Sequence, residues 1–116
     1  MLTAFKVSQM GVRMKASAPP PTISRALTEV GTHLAVWRKL RRLTAAQVAD
    51  RAGISVNTVL RLEGGSGATL ENVLRISRAL GVLEVLTSAL DPYAHDVGRL
   101  RADENLPQRV RSRGNP

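Results

Sequence analysis

The 116-residue sequence contains no cysteine, which excludes disulfides and thiolate metal ligation and agrees with a reducing cytoplasm. Histidine is nearly absent too: His33 and His95 are too few to build a metal site and read as incidental surface side chains. The aromatics are Phe5, Trp37 and Tyr93, with Trp37 on a core face, so the platforms on which a sequence-neutral RNA or nucleoid binder stacks bases are lacking. No apolar run approaches the roughly 18 residues of a membrane span. Lys6, Arg13 and Lys15 interrupt residues 1 to 17, where a secretory signal needs an unbroken apolar stretch. These absences predict a soluble, cytoplasmic and nucleoid-associated protein with no membrane partner. There is also no Ser-His-Asp spacing, no carboxylate pair around a plausible cleft and no P-loop, and Asp50 and Glu71 read as exposed helix residues. The expectation is a chain that is not an enzyme and holds neither cofactor nor metal.

Acidic side chains are outnumbered, nine against 17 basic ones, for a net charge of +8. The basic set is 14 Arg to three Lys. Arg is the side chain best suited to planar, bidentate contacts with phosphate and guanine. Residues 1 to 24 carry +3 and residues 25 to 42 carry +4, residues 43 to 90 balance, and the last 26 carry +1. A basic first half points to a polyanionic partner, although a ribosome-like or membrane-surface role has the same charge.

Residues 1 to 22, with Gly11 and the run Pro19, Pro20, Pro21, resist helix and bury little, which predicts a disordered basic arm. From Ile23 the pattern changes: Leu27, Val30, Leu34 and Trp37 recur on one helical face, predicting a first helix over Ser24 to Arg41. Thr44 with Gln47 is a capping box opening a second helix over Ala45 to Ala52. Gly53 then stops it, and Ser55 caps a third over Val56 to Glu63. Gly64 and Gly65 end that helix, Thr69 caps a fourth over Leu70 to Leu80, and Gly81 stops the fourth. Leu83, Leu86 and Leu90 mark a fifth, ending before Pro92. The expected fold is all-α: a five-helix domain over 23–90, with a tail over 91–116 that holds at most one short helix and an extended end.

Two short capped helices joined by a Gly-centred turn, in a basic all-helical domain, match the unit whose second helix enters the DNA major groove. Helical spacing turns Val59 and Leu62 inward and leaves Val56, Asn57, Leu60 and Arg61 on the opposite side as the predicted reading surface. Asn57 suits adenine, Arg61 suits guanine O6 and N7, and Val56 or Leu60 suits a thymine methyl. The N-terminal turns capped by Thr44, Ser55 and Thr69, with Thr58, are the expected phosphate contacts, a role compatible with capping.

The run Gly31, Leu34, Arg38, Leu43-Thr44, Val48-Ala49, Ala52-Gly53-Ile54-Ser55, Thr58-Val59, Arg61-Leu62-Glu63 and Leu80-Gly81-Val82 resembles the phage-repressor-like helix-turn-helix family, called Cro/C1 or XRE, over about residues 27 to 90. The resemblance implies a five-helix DNA-binding fold, a partly palindromic operator and a homodimer. It also implies a buried structural ion pair between Arg38 and Glu63. The family tends to place Gln as a phosphate clamp right after the Thr of the second helix, where this sequence has Ala45. Further on, Leu80-Gly81-Val82-Leu83-Glu84-Val85-Leu86, Asp91-Pro92, Asp96-Val97-Gly98-Arg99 and Leu106-Pro107-Gln108-Arg109-Val110-Arg111 are similar to the HipB-like branch. That resemblance implies an antitoxin that represses its own operon and restrains a HipA-like serine/threonine kinase. The Arg-rich tail would then dock on the kinase or run along DNA.

Leu83, Leu86 and Leu90 offer more apolar surface than a small monomer covers, and so are the expected dimer contacts; the alternative is that this helix simply closes the core. The rival reading of the whole is a protein-binding module that restrains a partner kinase and binds DNA only weakly. The exposed Leu60 and the missing clamp at Ala45 fit that rival.

Overall fold

The computed structural model describes residues 17–105. Residues 1–16 of the arm predicted over 1–22, and the tail motif from Leu106 onward, lie outside the described residues; the end of the predicted arm, Pro21 and Thr22, belongs to the first helix instead. Within them the chain is all-helical, with α1 at Pro21–Leu40, α2 at Ala45–Ala52, α3 at Val56–Glu63, α4 at Leu70–Leu80, α5 at Leu83–Ala89 and α6 at Asp96–Asn105. A 3-10 turn at Pro92–Ala94 joins the last two.

The first helix departs from its expected start. It begins at Pro21, three residues before Ser24, because the first helical position needs no backbone N–H and proline already has helical φ there. The Pro20 carbonyl accepts from the amides of Ile23 and Ser24 at 2.9 and 3.0 Å. At the other end Arg42 and Leu43 close a Schellman motif, their amides donating to Lys39 O and Arg38 O at 2.9 and 3.1 Å. Arg42 has φ +58, a left-handed conformation that glycine adopts without the Cβ penalty. Arg42→Gly is therefore expected to stabilise the fold by about 0.5–1 kcal/mol net of the extra unfolded-state entropy. Thermal unfolding of this variant beside Arg42→Ala, which removes the charge but keeps the Cβ, checks it: only glycine should raise Tm.

The next three helices follow local chemistry. Thr44 Oγ1 accepts from the Gln47 amide at 3.0 Å while Gln47 Oε1 accepts from the Thr44 amide at 2.8 Å, a complete capping box. Gly53 ends α2 at φ +71, where any side chain is strained. Ser55 and Thr69 cap α3 and α4 by accepting the amides three residues on, at 3.2 and 3.1 Å.

The core is Leu34 of α1, Val48, Ala49 and Ala52 of α2, Val59 and Leu62 of α3, and Ile76, Leu80 and Val82 at and beyond α4. Trp37, Leu43, Ile54 and Val73 pack around it. The one fully buried polar side chain of the described core, Ser77, donates to Val73 O at 2.8 Å, so its hydroxyl is satisfied within its own helix. Two arginines stitch helix ends together: Arg75 donates to Ala52 O at 3.1 Å, and Arg41 donates to Leu80 O at 2.9 Å while lying over the Trp37 ring. Not all of the predicted α1 face is covered. Leu34 is buried and Leu27 and Trp37 are half-buried, but Val30 remains exposed because α5 does not close over it.

Candidate nucleic-acid interface

Helices α2 and α3 pack on each other and on the rest of the core through α2 against α4 and α3 against α1. Within α3 the inside and the outside separate as the 3.6-residue period requires. Val59 and Leu62 are buried, whereas Val56, Asn57, Leu60 and Arg61 are exposed.

Beside that outer face lies a polar cleft of about 490 Å³. Ser55, Asn57, Thr58 and Arg61 wall it from the α3 side, and Ser66, Gly67, Ala68, Thr69 and Asn72 from the start of α4. The capped N-termini of two helices thus meet at one cleft, whose only charged lining side chain among the described residues is Arg61. Backbone N–H dipoles, hydroxyls and a guanidinium together make a surface suited to an anionic, hydrogen-bond-accepting ligand. Ser55 Oγ and Thr58 Oγ1 lie 2.9 Å apart, so the two hydroxyls share one hydrogen bond and keep further donor and acceptor capacity.

Of the residues expected to touch nucleic acid, the cleft gathers Asn57, Arg61, Ser55, Thr58 and Thr69. It does not include Val56 and Leu60, which lie on the same helix outside the cleft, nor Thr44, whose hydroxyl and amide are engaged with Gln47 at the start of α2. Sequence reasoning missed Ser66, Gly67 and Asn72. The Gly-rich loop before the Thr69 cap was the available signal: Gly65 and Gly67, at φ +90 and +87, carry it past Thr28 and Leu27 of α1.

One ion pair holds this arrangement. Arg38 Nε and Nη2 donate to Glu63 Oε2 and Oε1 at 2.7 and 3.0 Å, a bidentate bond from α1 to the last residue of α3. Arg38 Nη1 also donates to Leu43 O at 3.0 Å, so one guanidinium ties α1, the following turn and α3. The hydrogen bond to Glu63 holds Arg38 above its ordinary pKa, with burial opposing and the Glu63 charge adding. The side chains are 16% and 13% exposed, which makes the pair mostly rather than fully buried. Glu63→Ala strands the Arg38 charge and is expected to cost about 3 kcal/mol, the low end of the range for breaking a buried pair. The double variant Arg38→Met, Glu63→Leu is expected to recover most of that loss. Urea unfolding of the single and double variants reads the coupling directly.

Residues 29–90, more than half of the chain, match the family described as a helix-turn-helix domain. The chain belongs to that family. Neither the curated proteins nor the solved structures yield a match. Membership of the helix-turn-helix domain family supports an XRE-like DNA-binding regulator, and such domains are typically non-enzymatic. In the helix-turn-helix unit of this chain, α2 is the first helix, Gly53 to Ser55 the turn and α3 the helix that would face the groove. Among the described residues, no helix is long and apolar enough to cross a membrane and no cluster of His, Asp and Glu could hold a metal ion.

Proposed function

We propose that the chain is a sequence-specific transcriptional repressor that reads a palindromic operator with Val56, Asn57, Leu60 and Arg61 of α3. Ser55, Thr58 and Thr69, with Thr44 at the N-cap of α2, hold the flanking phosphates, and Arg38 with Glu63 sets the position of α3. The observation that carries this reading is that Asn57 and Arg61, on the outward side of α3, border a polar cleft into which two capped helix N-termini open. Operator symmetry then calls for a homodimer. Leu83, Leu86 and Leu90 of the α5 region are the proposed contacts: the first two are half-buried and Leu90 is exposed in the single chain.

The HipB-like residues around α5 and the start of α6 favour an antitoxin that represses its own operon and restrains a HipA-like serine/threonine kinase. The second reading, a protein-binding module with weak DNA affinity, draws on the exposed Leu60 and on Ala45 in place of the clamp. Fluorescence anisotropy on the chain's own upstream DNA and a scrambled duplex, over a salt series, separates the two. A repressor should bind its own DNA at least 10³-fold more tightly, on the order expected of specific over non-specific sites, and its affinity should fall steeply with salt. Equal, weak binding to both duplexes overturns the repressor reading and leaves the protein-binding module.

A further inference from the structure

Among the described residues Arg42 alone, apart from glycines, has a positive φ, at +58. Its backbone is accounted for by the turn that ends α1, where its amide donates to Lys39 O at 2.9 Å. Its side chain is not. The turn needs only a left-handed residue, which glycine supplies with no Cβ in the way. The guanidinium gives the fold nothing in return: Arg42 is exposed, and among the described residues its side chain joins no ion pair. A strained side chain that the fold does not use points to a function outside the fold.

The surroundings say what that function is. Arg38 and Lys39 in the last turn of α1 are followed by Arg41 and Arg42, and residues 30–49 contain no Asp or Glu. Arg38 is engaged with Glu63 and Leu43 O, and Arg41 with Leu80 O and the Trp37 ring. Lys39 is exposed but sits in regular helix, where its backbone is unstrained. Arg42 is therefore an uncommitted guanidinium in a stretch with no acid to offset it. Residues 43–49 are uncharged, so Arg42 is the cation nearest in sequence to the start of α2. In a helix-turn-helix the first helix crosses the DNA backbone while the second enters the groove, and α2 is that first helix.

We propose that Arg42 holds a phosphate of the DNA backbone where α2 crosses it, and that stability is given up at this turn for that contact. The inference rests on the reading of α2 and α3 as a DNA-binding unit and adds an anchor outside the α3 cleft, whose walls do not include Arg42. A guanidinium is the side chain best matched to a phosphate, because its fork donates two parallel hydrogen bonds. Phosphate contacts fix register and orientation without reading bases. Arg42 therefore strengthens binding to any duplex by the same factor, in contrast to Asn57, whose contribution belongs to the operator. Its substitution by glycine separates stability from binding, since the variant expected to unfold at higher temperature is the one expected to bind DNA less well.

The test is fluorescence anisotropy on the full-length chain, over a salt series, with its own upstream duplex and the scrambled one. Wild type is compared with Arg42→Gly, Arg42→Ala, Arg42→Lys and Arg101→Ala, and each is unfolded thermally in parallel. Arg101, exposed on α6, controls for the loss of one charge elsewhere in the chain. Arg42→Gly and Arg42→Ala should bind both duplexes about 3- to 10-fold more weakly in roughly 0.1 M salt, and the slope of log K against log salt should fall by close to one unit. Arg42→Gly should do so with a Tm above wild type, so that unfolding cannot account for the loss. Arg42→Lys should keep the slope, and Arg101→Ala should change it by much less than one unit. Unchanged affinity and slope in Arg42→Gly overturn the anchor, and a wild-type preference for its own duplex on the order of 10³-fold then leaves the repressor reading standing. A loss in Arg101→Ala as large as that in Arg42→Ala also overturns the anchor, because net charge alone then explains it. Equal binding of wild type to both duplexes, with one unit of slope still lost at Arg42, supports the anchor and overturns the repressor. A wild-type chain with no affinity for either duplex overturns both.

Discussion

Gly31→Ala is expected to lower Tm by at least about 12 °C, the shift that roughly 3 kcal/mol produces in a domain of this size. Helix propensity alone points the other way, since alanine in a helix interior is favoured over glycine by about 1 kcal/mol. The contact decides the sign. A Cβ on Gly31 would overlap the Leu62 carbonyl oxygen and lie 2.8 Å from the Glu63 carbonyl oxygen, both backbone atoms at the end of α3. A flexible side chain could swing aside, but a helix end held by its own hydrogen bonds and by the Arg38–Glu63 pair cannot. Overpacking commonly costs about 1–3 kcal/mol, and backbone-to-backbone overlap belongs at or above the top of that range. Relief would require α3 to move off α1, so operator affinity should also fall at temperatures where the variant is still folded. Thr32→Ala, an exposed change one residue on, is the control and should shift Tm by no more than a degree or two. A Gly31→Ala chain as stable as wild type would show that α1 and α3 do not approach this closely.

The second large effect is on recognition. Arg61→Ala is expected to weaken operator binding by about 1–3 kcal/mol, roughly 10- to 100-fold in Kd, and to leave binding to scrambled DNA nearly unchanged. The salt series separates the two roles open to this side chain. If Arg61 reads a guanine edge, the loss is specific and the slope of log K against log salt hardly moves. If it holds a phosphate, both duplexes lose affinity and the slope falls by close to one unit. Asn57→Ala carries no charge change, so its expected loss, also about 1–3 kcal/mol, should leave the slope unaltered and relax the preference for adenine at one position. Equal affinity of Arg61→Ala and wild type for the operator would remove α3 as the reading helix. Both variants are at exposed positions of a capped helix and should unfold within a degree or two of wild type.

Much of this protein is written in short-range signals. Thr44 with Gln47, Ser55, Thr69 and Gly53 mark helix ends because each acts on backbone groups within about four residues of itself, and the bounds of α2, α3 and α4 agree with those signals. The division of α3 into buried Val59 and Leu62 and exposed Val56, Asn57, Leu60 and Arg61 follows from helical period alone. Arg38 and Glu63 are related only by the family resemblance, since nothing local links residues 25 apart.

Proline at residue 21 reads as a breaker, yet it opens α1, because the same ring that blocks a helix interior suits its first position. Other features depend on how the helices pack. Ser66 and Asn72 complete the cleft only once α4 has docked on α2 and α3. Arg75 reaches Ala52, and Arg41 reaches Leu80, across 23 and 39 residues of chain. Val30 has the same periodic signature as Leu34, and only the position of α5 leaves one at the mouth of a groove and the other buried. The sequence by itself determined where α2, α3 and α4 begin and end and which side of α3 turns inward, because those choices are settled by hydrogen bonds and sterics inside one or two turns. Which faces meet, and which are left open, was decided by tertiary packing, because the fit between helices depends on the summed shapes of side chains far apart in the chain.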